Sequence, residues 1–296
     1  MKKDKLQFVM AMIIFGTVGL VSKFIPYSAV FVAFVRGLIG TLFLLVLHVL
    51  QKQSFPKREL RKNLVLLCLS GIALGINWIT MFEAFRHTSV AVATICYYMA
   101  PVIVILVSPF LFAEKITSKK GICSVIAVLG MILASGVIET GFTGLKGVYL
   151  GLGSAVLYAI IIILNKKIKG LSGNERTIFQ LGLATIAILP YGLLTGSFIH
   201  LEVEPMPVLM LLIAGIIHTG VVYVLYFGSM PNMPAQSVAI LSYIDPIVAV
   251  LVSALILREG LSALATIGVV LVIGSAIVNE VELRGRRRKR SGDGHI

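Results

Sequence analysis

Ten runs of mostly apolar residues recur along the chain, near 7–22, 28–50, 63–85, 90–112, 120–138, 145–165, 175–196, 206–229, 235–257 and 263–280. A helix needs roughly 20 such residues to cross the hydrocarbon of a bilayer. In that solvent each backbone N–H and C=O must be satisfied inside the protein, so continuous runs of this length specify helices. A membrane barrel would read as short alternating segments instead. Only 13% of the 296 residues are charged, against about 25% in an ordinary soluble domain. The breaks between runs are short, which leaves no room for an inserted soluble domain. The expectation is an all-α membrane protein with ten transmembrane helices. The first run follows MKKDK, as a secretory signal would. It has no small-x-small cleavage site and nine more runs follow it, so it reads as the first helix.

A net charge of +13 would suggest a nucleic-acid partner in a soluble protein. The positions of the charges argue otherwise. With the N-terminus in the cytosol, 21 of the 26 basic residues face inward: three before residue 6, five over 52–62, three over 115–120, four over 166–176 and six over 284–290. Lys23, Arg86, Lys146 and Arg258 face outward, and Arg36 lies inside a run. This is the asymmetry of the positive-inside rule, and it puts both termini in the cytoplasm of a multi-pass protein of the plasma or inner membrane. Residues 282–296, with RGRRRKR, form a basic cytosolic tail suited to anionic headgroups. No nucleic-acid partner is expected. Cys68, Cys96 and Cys123 fall within runs and share no CxxC spacing, so they imply neither disulfide nor metal. No GxxxxGK[ST], HExxH or GxSxG is present. Neither ATP-driven work nor an enzyme of those classes is expected, and no cofactor is implied.

The chain also repeats itself. Shifting residues 81–117 by 145 superposes Phe82 on Phe227, Tyr98 on Tyr243, Pro101 on Pro246, Glu114 on Glu259 and Thr117 on Ser262. The same shift sets Trp78 on Tyr223. Residues 1–140 and 141–281 thus read as two copies of a five-helix unit. An odd number of crossings forces the second copy to enter the membrane inverted. Inverted repeats place a central site at their interface and expose it to each side in turn.

FGTVGLVSKF, VAFVRGLIGTLFLL and FRHTSVAVATICYYMAPVIVIL in the first half, with SVAILSYIDPIVAVLVSALILREGLS in the second, carry a resemblance. The chain resembles the EamA-type family of the drug/metabolite transporter superfamily over nearly its whole length. The resemblance implies ten helices in two inverted repeats and secondary transport, with many relatives exporting amino acids or other small metabolites. The family often has Trp where Phe15 stands, and a small or apolar residue where Asp245 stands.

Asp245 sits in a run with no other charge between Ala235 and Leu257. An ionised Asp at mid-membrane costs about 2.5–3.5 kcal/mol on insertion scales, so it belongs against protein or water. Its repeat partner is Ala100, so the fold does not require an acid there. Helical spacing aligns Ser242 with Asp245, and Tyr97 with Ala100. A buried brace between helices is the alternative role. Pro101 and Pro246 are expected to kink their helices at mid-length. Arg36 could pair with Asp245, fork a substrate carboxylate or snorkel. His218 could relay protons or act as a hydrogen-bonded structural residue. Asn77, Trp78 and Tyr223 are candidates for a partly polar aromatic wall. Glu114 and Glu259 read as structural or gate positions, with Thr117 and Ser262 as caps of the following helices. The GxxxG pairs Gly71/Gly75 and Gly147/Gly151 should allow close helix contact.

The function expected is a secondary transporter, an exporter of amino acids or related amines and organic solutes, with proton coupling through Asp245. Its partners are a small-molecule substrate, the lipid bilayer, protons and a second copy of the chain. A membrane-embedded enzyme acting on a lipid-linked substrate, or a channel, is the alternative.

Overall fold

The computed structural model describes residues 2–112, 116–140, 145–199, 204–229, 233 and 241–281. Helix occurs in every one of the ten apolar stretches, and no strand occurs among the described residues. We number the helices by stretch. They are α1 (Lys2–Gly16, continued by Val18–Lys23), α2 (Ala29–Leu50), α3 (Lys57–His87) and α4 (Val90–Tyr97, then Ala100–Phe112), followed by α5 (Ser118–Ala134) and α6 (Lys146–Lys167). The rest are α7 (Gly173–Leu194), α8 (Pro205–Gly215, a π-helical turn Ile216–Val221, then Val222–Ser229), α9 (Ile244–Leu255) and α10 (Ala263–Val281). Seven of the stretches, α1 to α4 and α6 to α8, are long and apolar enough to cross a membrane. In α9 and α10 the apolar helix is shorter, over Ile244–Leu255 and Ala263–Val278. Glu114, Glu202 and the basic tail 282–296 lie outside the described residues.

Helix starts follow local chemistry. The side chains of Ser28, Ser89 and Thr117 each accept from the backbone N–H three residues on, at the heads of α2, α4 and α5. Ser172 and Glu175 form a full capping box on α7. Ser262 accepts from the Ala265 N–H at 3.0 Å, so the caps expected at Thr117 and Ser262 are both made.

The packing is inside-out relative to a soluble protein. Leu194 is 87% exposed and Val65 70%, whereas Ser70, Asn77, Thr219 and Ser253 are buried. Surface Leu and Val suit a hydrocarbon solvent, and polar groups gather where protein can satisfy them. Small residues set the helix spacing. A Cβ on Gly71 would lie 2.6 Å from Leu183 Cβ, and one on Gly151 2.9 Å from Cys96 Cβ. Both GxxxG pairs thus seat neighbouring helices, as their spacing implies.

Helix α1 packs on α8 and α9, and α6 packs on α3 and α4. Helix α2 meets α7 and α8, and α7 meets α2 and α3. The pairs α4–α9, α5–α10, α2–α3 and α7–α8 also meet. These named pairs map onto one another when each helix is exchanged for the one five places away.

Candidate functional site

Helices α4 and α9 are interrupted at corresponding points. After Tyr97 the chain makes a tight turn, with the Met99 N–H donating to the Cys96 carbonyl at 3.1 Å, and helix resumes at Ala100. In α9, helix starts again at Ile244 after Tyr243. Pro101 and Pro246 are therefore the second and third residues of restarted helices, not the mid-helix kinks expected from sequence. In a first turn the proline N–H would have no intrahelical acceptor, so the ring costs nothing there.

The two interruptions meet. The Tyr98 hydroxyl donates to Asp245 Oδ2 at 2.6 Å, and the other carboxylate oxygen accepts no hydrogen bond among the described residues. Sequence reasoning selected Tyr97, one residue away. Tyr97 instead stacks on Tyr158 with centroids 4.9 Å apart. It lies within electrostatic range of both Asp245 and Arg36. The repeat alignment held a pointer to Tyr98, whose counterpart Tyr243 stands two residues before Asp245. Ser242 immediately precedes this turn.

Arg36 is 5% exposed and does not pair with Asp245. Its Nε donates to Thr219 Oγ1 at 2.7 Å and its Nη2 to the His218 carbonyl at 3.0 Å. The guanidinium lies over Trp78 at 4.6 Å and over Phe82 at 5.5 Å from the ring centroids. It has no carboxylate partner among the described residues. Its acceptors come from the π-helical turn of α8, a local widening often found at functional sites. In the same turn Thr219 Oγ1 donates to the Ala214 carbonyl at 2.9 Å. His218 has a partner at each ring nitrogen, Thr17 Oγ1 at 2.9 Å and the Ile213 carbonyl at 3.3 Å.

Asn77 joins two helices. Its amide donates to the Ser154 carbonyl at 2.7 Å and to Ser154 Oγ at 2.8 Å, while Ser154 Oγ donates to the Asn77 carbonyl at 3.1 Å. At 2% exposure it clasps α3 to α6. An amide in a tightly packed helix contact is satisfied best by the facing backbone, which the sequence of α3 alone does not reveal. Tyr223 sits edge-on to Phe15 at 5.7 Å and stacks with Phe227 at 5.8 Å.

One ionic cluster lies at the opposite end of α4 from its Ala100–Phe112 piece. Glu259 accepts from Lys23 Nζ at 2.9 Å, the Val90 N–H at 2.8 Å and Ser253 Oγ at 2.7 Å. It ties the end of α1, the start of α4 and the α9–α10 connection together. Partial burial raises the cost of its charge, but the bonds from Ser253, Lys23 and Val90 outweigh this and hold its carboxyl below the ordinary value of 4.5. A carboxyl whose pKa is lowered by folding contributes stability above its unfolded pKa and loses it as pH falls through the folded value. Glu259→Gln should therefore lower the thermal midpoint at pH 7, by about 5 °C on the usual worth of charge-assisted bonds. The gap between variant and native protein should close as the pH drops below about 4.5. Unfolding scans in detergent at two pH values measure both effects.

Comparisons with known proteins agree with this architecture. The model of the EamA-like transporter family matches twice, over residues 5–136 and 145–280. Uncharacterized transporter YxxF of Bacillus subtilis (strain 168) is 30% identical over 284 residues, covering 95% of this chain and 90% of the relative. Protein PecM of Dickeya dadantii (strain 3937) is 24% identical, covering 76% of each chain. A solved structure described only as "Crystal structure of protein" superposes with a TM-score of 0.65 at 17% identity, over 96% of this chain and 99% of its own.

Proposed function

Because the chain belongs to the EamA-like transporter family, we propose that it is a secondary active transporter, exporting small zwitterionic or amine metabolites such as amino acids by alternating access. As a family member with many apolar helices it is a multi-pass membrane protein. We read its ten helices as ten crossings, in inverted halves 1–140 and 141–281, with both termini in the cytoplasm. The exchange of packing partners five helices apart supports the halves, and the one-sided basic loops support the orientation.

The observation that carries the substrate class is the pair of unmatched charges inside the bundle. Asp245 offers a carboxylate oxygen without a described partner, at paired helix interruptions like those that form transporter sites. Arg36 offers a buried cation without a described counter-ion, braced on Trp78 and the α8 turn. A ligand with an ammonium for Asp245 and a carboxylate for Arg36 complements both, and Tyr97 stands within electrostatic range of each. When no ligand neutralises Asp245, a proton can, which makes proton-for-substrate exchange the natural cycle.

Purified protein in proteoliposomes tests this. Preloaded amino acid should drive saturable counterflow of its labelled form. Flux that does not saturate would mark a channel. Product formation in detergent, with no gradient, would mark an enzyme acting on a lipid-linked substrate.

A further inference from the structure

A cleft of about 320 Å³ runs from Tyr98 past Pro101 and Ile105 to Lys120, with Cys123 and Ser275 on its walls. Its lining comes from the turn and second piece of α4, Tyr243 of the turn before α9, the start of α5 and the far halves of α6 and α10, so it extends from the meeting of α4 and α9 toward one end of the bundle. Among its lining is Tyr98, whose hydroxyl holds Asp245. At the other end of α4, Glu259 fastens Lys23 to the Val90 N–H. The cleft and the Lys23–Glu259 clasp thus lie toward opposite ends of α4.

We propose that this cleft is the water-filled route by which solute reaches Asp245. In this route Lys120 at the mouth draws in the anionic end of the solute, Tyr98 is the inner gate, and the Lys23–Glu259 clasp is the outer one. This deepens the transporter reading and rests on it. The chemistry is consistent along the path. Lys120 Nζ has no partner among the described residues, whereas the neighbouring Lys119 donates to the Val278 carbonyl at 2.6 Å. Between Tyr98 and Lys120 the lining is mostly apolar, and the hydroxyls of Ser124 and Ser275 on its walls donate to the Lys120 and Val272 carbonyls at 2.8 and 2.9 Å, so they would not hold a solute tightly. An anionic group meeting Lys120 first would travel with its ammonium end free to reach the carboxylate beyond Tyr98.

Cys123 lines this cleft as a free but buried thiol, 7% exposed, so a reagent must enter the cleft to reach it. The experiment uses the full chain in right-side-out and inside-out membrane vesicles, labelled with membrane-impermeant thiosulfonate reagents of either charge. Modification of Cys123 is read by peptide mass, with Cys123→Ser as the blank. The expected result is labelling in inside-out vesicles only, with the anionic reagent faster than the cationic one. Lys120→Glu should invert that preference by about tenfold, and Lys120→Gln should abolish it. Glu259→Gln, which loosens the opposite clasp, should slow Cys123 labelling several-fold by favouring the alternate state. Absent or equally two-sided labelling overturns the route. A charge preference indifferent to residue 120 overturns the role of Lys120, and labelling indifferent to Glu259→Gln overturns the clasp. Labelling requires no flux, so a chain that labels as expected but shows no counterflow sinks the transporter reading and keeps the cleft.

Discussion

In proteoliposomes, Asp245→Asn should reduce proton-driven substrate accumulation to simple equilibration, while counterflow between equal pH compartments persists. For one-for-one exchange, a gradient of one pH unit is worth about 1.4 kcal/mol and sustains roughly a tenfold substrate ratio. Asparagine keeps the shape of the side chain and an oxygen to accept from the Tyr98 hydroxyl, whose bond to Asp245 measures 2.6 Å. It has no site that gains and loses a proton. The ratio at the same gradient should therefore fall to about one, and the pH dependence of exchange should flatten with it. Tyr98→Phe removes one hydrogen bond and leaves the acid, so it should weaken transport without abolishing coupling. A full tenfold ratio in well-folded Asp245→Asn protein would take Asp245 out of the coupling step. The measurement is labelled-substrate uptake against an imposed pH step.

The second large effect concerns folding. Helices α5 and α10 touch through Gly130 and Gly268. A Cβ placed on Gly268 would run into the Gly130 carbonyl oxygen and the Ala134 backbone nitrogen. Backbone atoms inside helices cannot step aside as a flexible side chain can, so Gly268→Leu must push the two helices apart. Overpacking of this kind costs about 3 kcal/mol or more, a fall of roughly 10 °C in thermal midpoint for a chain of this size. We expect most of the variant to aggregate on extraction. Gly274 is the internal control, because it lies in the same helix and a Cβ there meets nothing within 4 Å. Gly274→Leu should be neutral or slightly stabilising through its helix propensity. Size-exclusion profiles and midpoints of the two variants decide the matter, and equal behaviour would mean that α5 and α10 do not pack as described.

Particular residues show how far the site was legible. Asp245 stood out as an acid among hydrocarbon, and it lies at the meeting of α4 and α9. Its partner was harder to see. Tyr97 and Tyr98 are adjacent and chemically identical, and only the phase of the chain through the turn at Tyr98 decides which hydroxyl reaches across. Arg36 was visible as a buried cation, but its neighbours were not. The π-helical turn that presents Thr219 and the His218 carbonyl to it has no recognisable local signal in IIHTGV. Asn77 looked like a site residue because an amide in a membrane helix is uncommon, and its role as a clasp appeared only when Ser154 arrived opposite it.

Where the helices lie, how they are capped and which loops carry positive charge were settled by the chain's own composition. Hydrocarbon forces each segment to satisfy its backbone within a few residues, so local sequence suffices for those features. Which polar groups meet was decided only in three dimensions. Contacts such as Tyr98 with Asp245, Lys23 with Glu259 and Asn77 with Ser154 join positions far apart along the chain. They depend on how each helix is rotated about its axis and how deep it sits. Glycines pressed against distant helices set those two quantities, and no stretch of sequence encodes them alone.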